Sequence, residues 1–338
     1  MAELSRVADA QCQEIEVVLA DKDLDKAREL GRTKGFRWVE RAEHLFGDPS
    51  VTAVVLCVPI RSHATLIRQC VAAGKDFFCE KPSCETAGQA RELYDLTQRS
   101  QRIGMIGYVY RFVPAFQSMR NLLAGARDSG DSPVIGKLAV AIIRIGGRGS
   151  TALWKHRRSE GGGAVNEMLV HMLDLVVWYF GPIERTELIM HELLRPQRVI
   201  DGRLETVDAE DFVLARFWTR SGVPAIIQAD LVSPAFMQLF EVHGDNGTLT
   251  ASIQPELPQF VFTLQPAGGY AAGRTELNCG RVNVFEAQMA TFIAAVRDRT
   301  QHPAGTLADT VHVMEAVDAL RGRSMGQAFS EIDLKSFG

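Results

Sequence analysis

The 338-residue chain has no apolar stretch that approaches the ~20 residues of a membrane-spanning helix. It also has no basic run and no basic–aromatic alternation, and its net charge is −4. Neither a membrane nor a nucleic acid is therefore an expected partner. The start, MAELSRVADAQCQ, shows neither the cationic opening nor the apolar core of a secretory signal. The six cysteines, Cys12, Cys57, Cys70, Cys79, Cys84 and Cys279, lack metal-ligand spacing, and several sit inside apolar strand-like runs. They are expected to be reduced thiols of a cytoplasmic protein. No internal repeat is visible. What the chain does have is length and 46% hydrophobic residues, enough for two domains with proper cores.

One stretch stands out, Gly161 to Trp178, GGGAVNEMLVHMLDLVVW. After three glycines its apolar residues leave no broad polar face, so a helix here is expected to be buried nearly all round. Yet Glu167, His171 and Asp174, spaced by four and then three, fall within roughly 60° of one another on such a helix. Ionisable groups in that setting lose hydration unless they face partners, a cleft or each other. Two readings stay open, a self-satisfied buried cluster and a chemical site. A zinc site is disfavoured, because a metalloprotease pattern wants a second histidine and none lies nearby; no metal is expected.

Before this stretch, strand-like and helix-like segments alternate up to about residue 110: EIEVVLADKD, a polar helix from Leu24, ERAEHLFGD, VTAVVLCVP, HATLIRQCVAAGK, DFFCEKP, TAGQARELYDLTQRS and RIGMIGYV. A short amphipathic helix is read over residues 2–12. Such alternation implies right-handed crossovers and a parallel sheet, with the binding crevice at the carboxyl ends of its strands. Asp21, the Pro59–His63 loop, Glu80-Lys81-Pro82 and Tyr108–Arg111 all leave strands at that rim. Asp21 can accept from an adenosine ribose hydroxyl, or simply cap the next helix. Lys81 is either a functional cation or half of a solvated pair with Glu80. After residue 112 come a linking helix, a strand over 136–147, a glycine-rich loop over 146–163 and then strands joined by tight turns, read as an antiparallel meander. Residues 266–274 read as a flexible loop, and helices over 285–299 and 307–321 close the chain.

Together these residues resemble the Gfo/Idh/MocA family of nicotinamide-dependent oxidoreductases. The resemblance rests on Glu80-Lys81-Pro82, on Arg111-Phe112 followed by Pro114, on the glycines 161–163 with His171 and Asp174, and on the turn HGDNGTL at 243–249. It implies an α/β fold: a Rossmann-type parallel-sheet domain (1–112), N-terminally incomplete, then an α/β domain (113–338) with a large, mostly antiparallel open sheet that makes a homodimer or homotetramer. The implied reaction passes hydride between NAD(P) and a hydroxyl-bearing carbon of a sugar, inositol or related polyol. Lys81 and His171 would be catalytic, the lysine beside the nicotinamide and the histidine exchanging the hydroxyl proton. Glu167, Asp174 and Arg111 would bind substrate; Asp21, Pro59, His63, Glu80 and Lys81 would bind the cofactor. Asp21 favours NAD, and Lys22 leaves NADP open.

Two departures follow. Glu167 stands where the family usually has Asp, which moves the carboxylate by about 1.5 Å. In addition, no G-x-G-x-x-G turn precedes Asp21, so the first strand and its phosphate-binding turn are expected to be missing and NAD(H) to bind weakly. A catalytically silent relative serving as a binding or regulatory protein, and an NAD-retaining lyase or hydrolase, are the alternatives.

Overall fold

The computed structural model describes residues 15–129, 133–301 and 304–324. The helix read over 2–12 lies outside them. The chain divides into two compact units, one running to Ala124 and including Glu276–Val311, the other comprising Gly125–Thr275 and the segment from His312.

The first unit opens with β1 (Val18–Ala20), α1 (Leu24–Lys34), β2 (Arg37–Val39) and α2 (Ala42–Gly47). There follow β3 (Ala53–Leu56), α3 (Ile60–Ala72), β4 (Asp76–Cys79), α4 (Ala87–Ser100) and β5 (Gly104–Ile106). Local chemistry sets the helix starts. The Asp23 and Thr86 side chains accept from the backbone N–H groups of Lys26 and Gln89, capping α1 and α4. Strands β3, β4 and β5 form a parallel sheet in sequence order, and β1 pairs in parallel with β2. The segment read as a strand buried on both faces, 14–23, keeps only three strand residues, of which Leu19 alone is buried. Among the described strands β1 has β2 as its one neighbour, so half its backbone lacks a strand partner and its regular length is short.

Helix α5 (Pro114–Ser129) leads to β6 (Leu138–Gly146), a run of short 3-10 turns over 153–160, a π-helical turn (Val165–Leu169) and α6 (Val170–Phe180). Strands β7 (Ile183–Glu192), β8 (Gln197–Ile200), β9 (Arg203–Thr206), β10 (Phe212–Thr219), β11 (Pro224–Asp230), β12 (Met237–Gly244), β13 (Gly247–Ala251), β14 (Phe260–Thr263) and β15 (Gly273–Glu276) follow. Seven of them join β6 in one sheet, in the order β15-β14-β13-β12-β6-β11-β10-β7. The expected meander is therefore only partial: β6, first in sequence, sits in the middle, antiparallel to β12 and parallel to β11. Burial alternates along β10, β11 and β12. Ala141, Ile143, Val213, Phe217, Ile227 and Phe240 are fully buried or nearly so on one face, where Tyr179 of α6 meets Phe240 edge-on at 5.2 Å. Ile142 and Phe262 lie exposed on the other.

Helices α7 (Val284–Asp298) and α8 (Leu307–Ser324) end the described chain close to where periodicity places them. The sequence reading keeps 285–299 with the second domain. In the structure, Phe292 of α7 packs 5.8 Å from Phe78 of β4, and Met289 and Ala295 join Ile103, Met105 and Phe112 in the first unit's core. Just after α7, Gln301 exchanges hydrogen bonds with both backbone groups of Gly104, and Gly305 O accepts from Ile106 N. These groups satisfy the outer edge of β5 as a further strand would. The described cysteines are free thiols.

Candidate active site

In the first unit the candidate residues gather where β1, β3 and β4 end. Asp21 follows β1 and is exposed, and its Oδ1 accepts from the Asp23 N–H at 2.9 Å. Pro59 precedes the first turn of α3, which has no side-chain cap. Glu80 and Lys81 are half-buried rather than solvated. Glu80 lies against Gly107, and its Oε2 accepts from the Lys81 N–H at 3.3 Å. The Lys81-Pro82 peptide is cis.

Two of the residues expected at this rim are turned inward. His63 is 2% exposed, and its Nδ1 bonds the Pro82 carbonyl at 2.8 Å, so the imidazole braces the Lys81 segment from behind. Burial pulls its pKa below the ordinary histidine value. Arg111, also 2% exposed, pairs with Asp309 at 3.0 Å. Asp309 in turn accepts from the Thr306 N–H and hydroxyl at the start of α8, while Tyr108 donates to the Thr310 hydroxyl. Arg111 thus pins the turn after β5 to α8.

In the second unit Glu167 and His171 lie on the open side of the helix as the sequence spacing places them, with one addition. The turn 165–169 is π-helical, and Val170 N bonds Val165 O. Widened turns of this kind recur at functional sites. From Ala164 to Phe180 only Glu167, Met168, His171 and Trp178 are not fully buried. Asp174, expected in the same stripe, is 1% exposed and lies in the core instead.

Two of the three glycines are explained by what packs against them. A Cβ on Gly162 would overlap the Lys155 carbonyl, and one on Gly163 would overlap the Glu210 carboxylate; Gly163 also has φ +111°. Glu210 is the main element that sequence reasoning misses. Its backbone carbonyl accepts from Ala164 N at 2.9 Å and its Oε1 from Val165 N at 3.1 Å, so it caps the site helix. Burial raises its pKa, opposed by the Val165 N–H and by His191, whose Nε2 lies 3.9 Å from Oε2. Lys155 is the second, donating to Glu167 Oε2 at 2.8 Å. Neither stands at a local spacing from the helix that would have flagged it. Among the described residues no group of three or more His, Cys, Asp or Glu side chains is placed to hold a metal, and no described helix is long and apolar enough to cross a membrane.

These two units define a class: a Rossmann-type parallel-sheet domain joined to an α/β domain with a large, mostly antiparallel sheet. Residues 2–108 match the oxidoreductase family described as having an NAD-binding Rossmann fold, and residues 124–250 match the GFO/IDH/MocA C-terminal domain. The chain belongs to the Gfo/Idh/MocA family. It is 25% identical over 299 residues to the 1,5-anhydro-D-fructose reductase of Ensifer adhaerens, covering 86% of this chain and 83% of that one. An uncharacterized oxidoreductase of Synechocystis sp. is 27% identical over 242 residues (69% and 63%), and an inositol 2-dehydrogenase of Rhizobium meliloti 28% over 207 (60% and 58%). The match thus spans less than two-thirds of the length of the latter two. Among solved structures, levoglucosan dehydrogenase in complex with NADH and L-sorbose aligns with a TM-score of 0.80 at 18% identity, covering 95% of this chain and 92% of that one. An oxidoreductase domain protein from Kribbella flavida aligns at 0.82 and 18%, covering 96% and 93%.

Proposed function

We propose that this chain is a nicotinamide-dependent oxidoreductase that moves hydride between NAD(P) and a hydroxyl-bearing carbon of a sugar, inositol or related polyol. The observation that carries this reading is the helix stripe: an otherwise buried helix opens at Glu167 and His171, in a chain that also carries the family's NAD-binding domain. Oxidation of a carbinol sends its hydride to the cofactor and its hydroxyl proton to a base. His171 is that base, since imidazole works near neutrality. The Lys81 ammonium stabilises the alkoxide charge that develops as the proton leaves, and Glu167 orients substrate hydroxyls.

The residues present fit the ribose and nicotinamide ends of a nicotinamide dinucleotide. Asp21 keeps one carboxylate oxygen clear of its Asx turn for ribose hydroxyls, the uncapped first turn of α3 follows Pro59, and Lys81 stands at the end of β4. The bound cofactor supplies hydride transfer. Asp21 favours NAD over NADP by repelling a 2′-phosphate. His63 and Arg111 act as braces for the Lys81 segment and the turn after β5. The exposed sheet face, with Ile142, Phe262 and the Trp218 ring stacked under Arg185 at 3.4 Å, serves self-association into a dimer or tetramer.

The test is a screen of sugars, inositols and sugar acids with NAD and NADP, following NADH absorbance, with sedimentation for subunit number. Turnover of any polyol supports the reading. NADH binding without redox turnover favours a lyase or hydrolase, and neither binding nor turnover favours a silent relative.

A further inference from the structure

We propose that Lys155 is a positioning and specificity-determining residue of the site helix: bridged to Glu167, it makes a charge-neutral donor–acceptor pair that selects an uncharged polyhydroxylated ring over an anionic sugar acid. The inference rests on the polyol reading above and narrows it.

The bridge is held in place from both ends. Lys155 Nζ meets Glu167 Oε2 at 2.8 Å, with side chains 29% and 15% exposed, so the pair is sheltered yet reachable. Gly163 clamps both partners, its N–H donating to the Lys155 carbonyl and its own carbonyl accepting from the Glu167 N–H, each at 3.0 Å. A surface ion pair between two long side chains contributes little, because ordering both offsets the attraction. Here both main chains are already fixed. The ammonium also lies 5.3 Å from the centroid of the Trp154 ring, a flat apolar surface at the same place.

The chemistry of the pair follows from its donors and acceptors. An ammonium has three N–H donors and a carboxylate about four acceptor positions, and their shared hydrogen bond takes one of each. Vicinal hydroxyls, each able to donate and accept, match a pair that offers both. Within this pair a substrate carboxylate matches only the lysine, and Glu167 beside it repels the added charge. Two other cations of this region are committed elsewhere: Arg157 lies 3.7 Å from Glu160, and Arg198 pairs with buried Asp211 at 2.9 Å.

The experiment measures dissociation constants of D-glucose and D-glucuronate, which share a ring and differ in CH2OH against carboxylate, for the full chain by saturation-transfer NMR. Wild type is expected to prefer glucose. Glu167→Gln leaves the lysine uncompensated and shifts the ratio toward glucuronate by about tenfold, the scale of one hydrogen bond to a charged group. Lys155→Met shifts it the other way, Lys155→Arg keeps it, and the double variant Lys155→Met/Glu167→Gln returns it close to wild type. A bracing role alone would lower the melting temperature in the single variants and leave the ratio unmoved, which overturns the proposal. So does a wild type that binds neither sugar at millimolar concentration. The expected ratios without hydride transfer would sink the redox reading alone; turnover with unmoved ratios would sink this one alone.

Discussion

The rim of the parallel sheet and the helix of the second unit hold their candidate groups by opposite means. Lys81 follows a strand whose backbone is paired on both sides, and a buried imidazole braces the residue after it. Glu167 and His171 sit on a helix set by what meets its first turn: two glycines with no room for a Cβ, a capping carboxylate from 45 residues away and a lysine from the preceding loop. The strand rim tolerates change in the loops that leave it. The helix depends on a close fit at its N-terminus, and changes there should move the whole stripe.

The largest effects fall on the groups themselves. Lys81→Ala and His171→Ala are each expected to lower polyol turnover by about 10³-fold, within the range for losing an acid–base or charge-stabilising group. Both residues are half-buried, so the melting temperature should hold within a few degrees. A variant with wild-type rates would remove its residue from the mechanism.

Glycine substitutions compare the two regions directly. Gly163→Ala forces a Cβ into the Glu210 carboxylate at φ +111° and is expected to cost about 2–4 kcal/mol in urea unfolding. Gly107→Ala, beside Lys81's neighbour, meets the end of the Glu80 side chain at 3.0 Å and Phe78 Cζ at 3.2 Å. It should cost about 1 kcal/mol, because a flexible carboxylate can turn aside. Equal costs would erase the contrast between the regions.

Much of this was legible in the chain. Alternating apolar runs and helix signals such as Thr86 locate the elements of the first unit, and the spacing of four puts Glu167 and His171 on one face, while Asp174, three further on, is buried. What escaped is non-local. Nothing near β6 tells that it inserts between β12 and β11, since strand order depends on partners about 80–105 residues on. Glu210 and Lys155 touch the helix through space rather than along it. Arg111 and His63 carry polar heads that a rim reading sends outward, and only the positions of Asp309 and Pro82 show that they point in. The β8–β9 hairpin had a usable signal, Asp201-Gly202, with φ of 49° and 76°, the pattern of a tight hairpin turn.

Acidification should separate His63 of the strand rim from Glu210 of the helix cap by sign. The pKa of His63 is depressed in the folded state, so its contribution is present above the unfolded value near 6.5 and is lost as pH falls through the folded one. His156, buried and bonded to the Ser150 carbonyl, has the same sign. Glu210 is raised, so its contribution is present below the ordinary 4.5 and is lost as pH rises through the folded value. In denaturant series from pH 7.5 to 5, His63→Gln should flatten the acid-side decline, and Glu210→Gln should make that decline steeper by removing the opposing term. Unchanged slopes in both would refute these assignments.

The smallest effect belongs to the hairpin, where a paired apolar couple and a buried ion lie within two residues of each other. Val199 and Leu204 face one another across β8 and β9 and are 73% and 67% exposed. Arg198, on the opposite face, donates to Asp211, to the Leu231 carbonyl and to the Arg148 carbonyl, while Asp211 also accepts from the Leu194 and Arg195 N–H groups. If the hairpin is held by that buried face, Val199→Thr and Leu204→Thr together should change unfolding free energy by less than about 0.5 kcal/mol. Arg198→Met, which leaves a 1%-exposed carboxylate without its cation, should cost about 3 kcal/mol. A double threonine variant as damaging as Arg198→Met would show instead that the outer face is covered in the working protein, and sedimentation of that variant would show whether a second copy covers it.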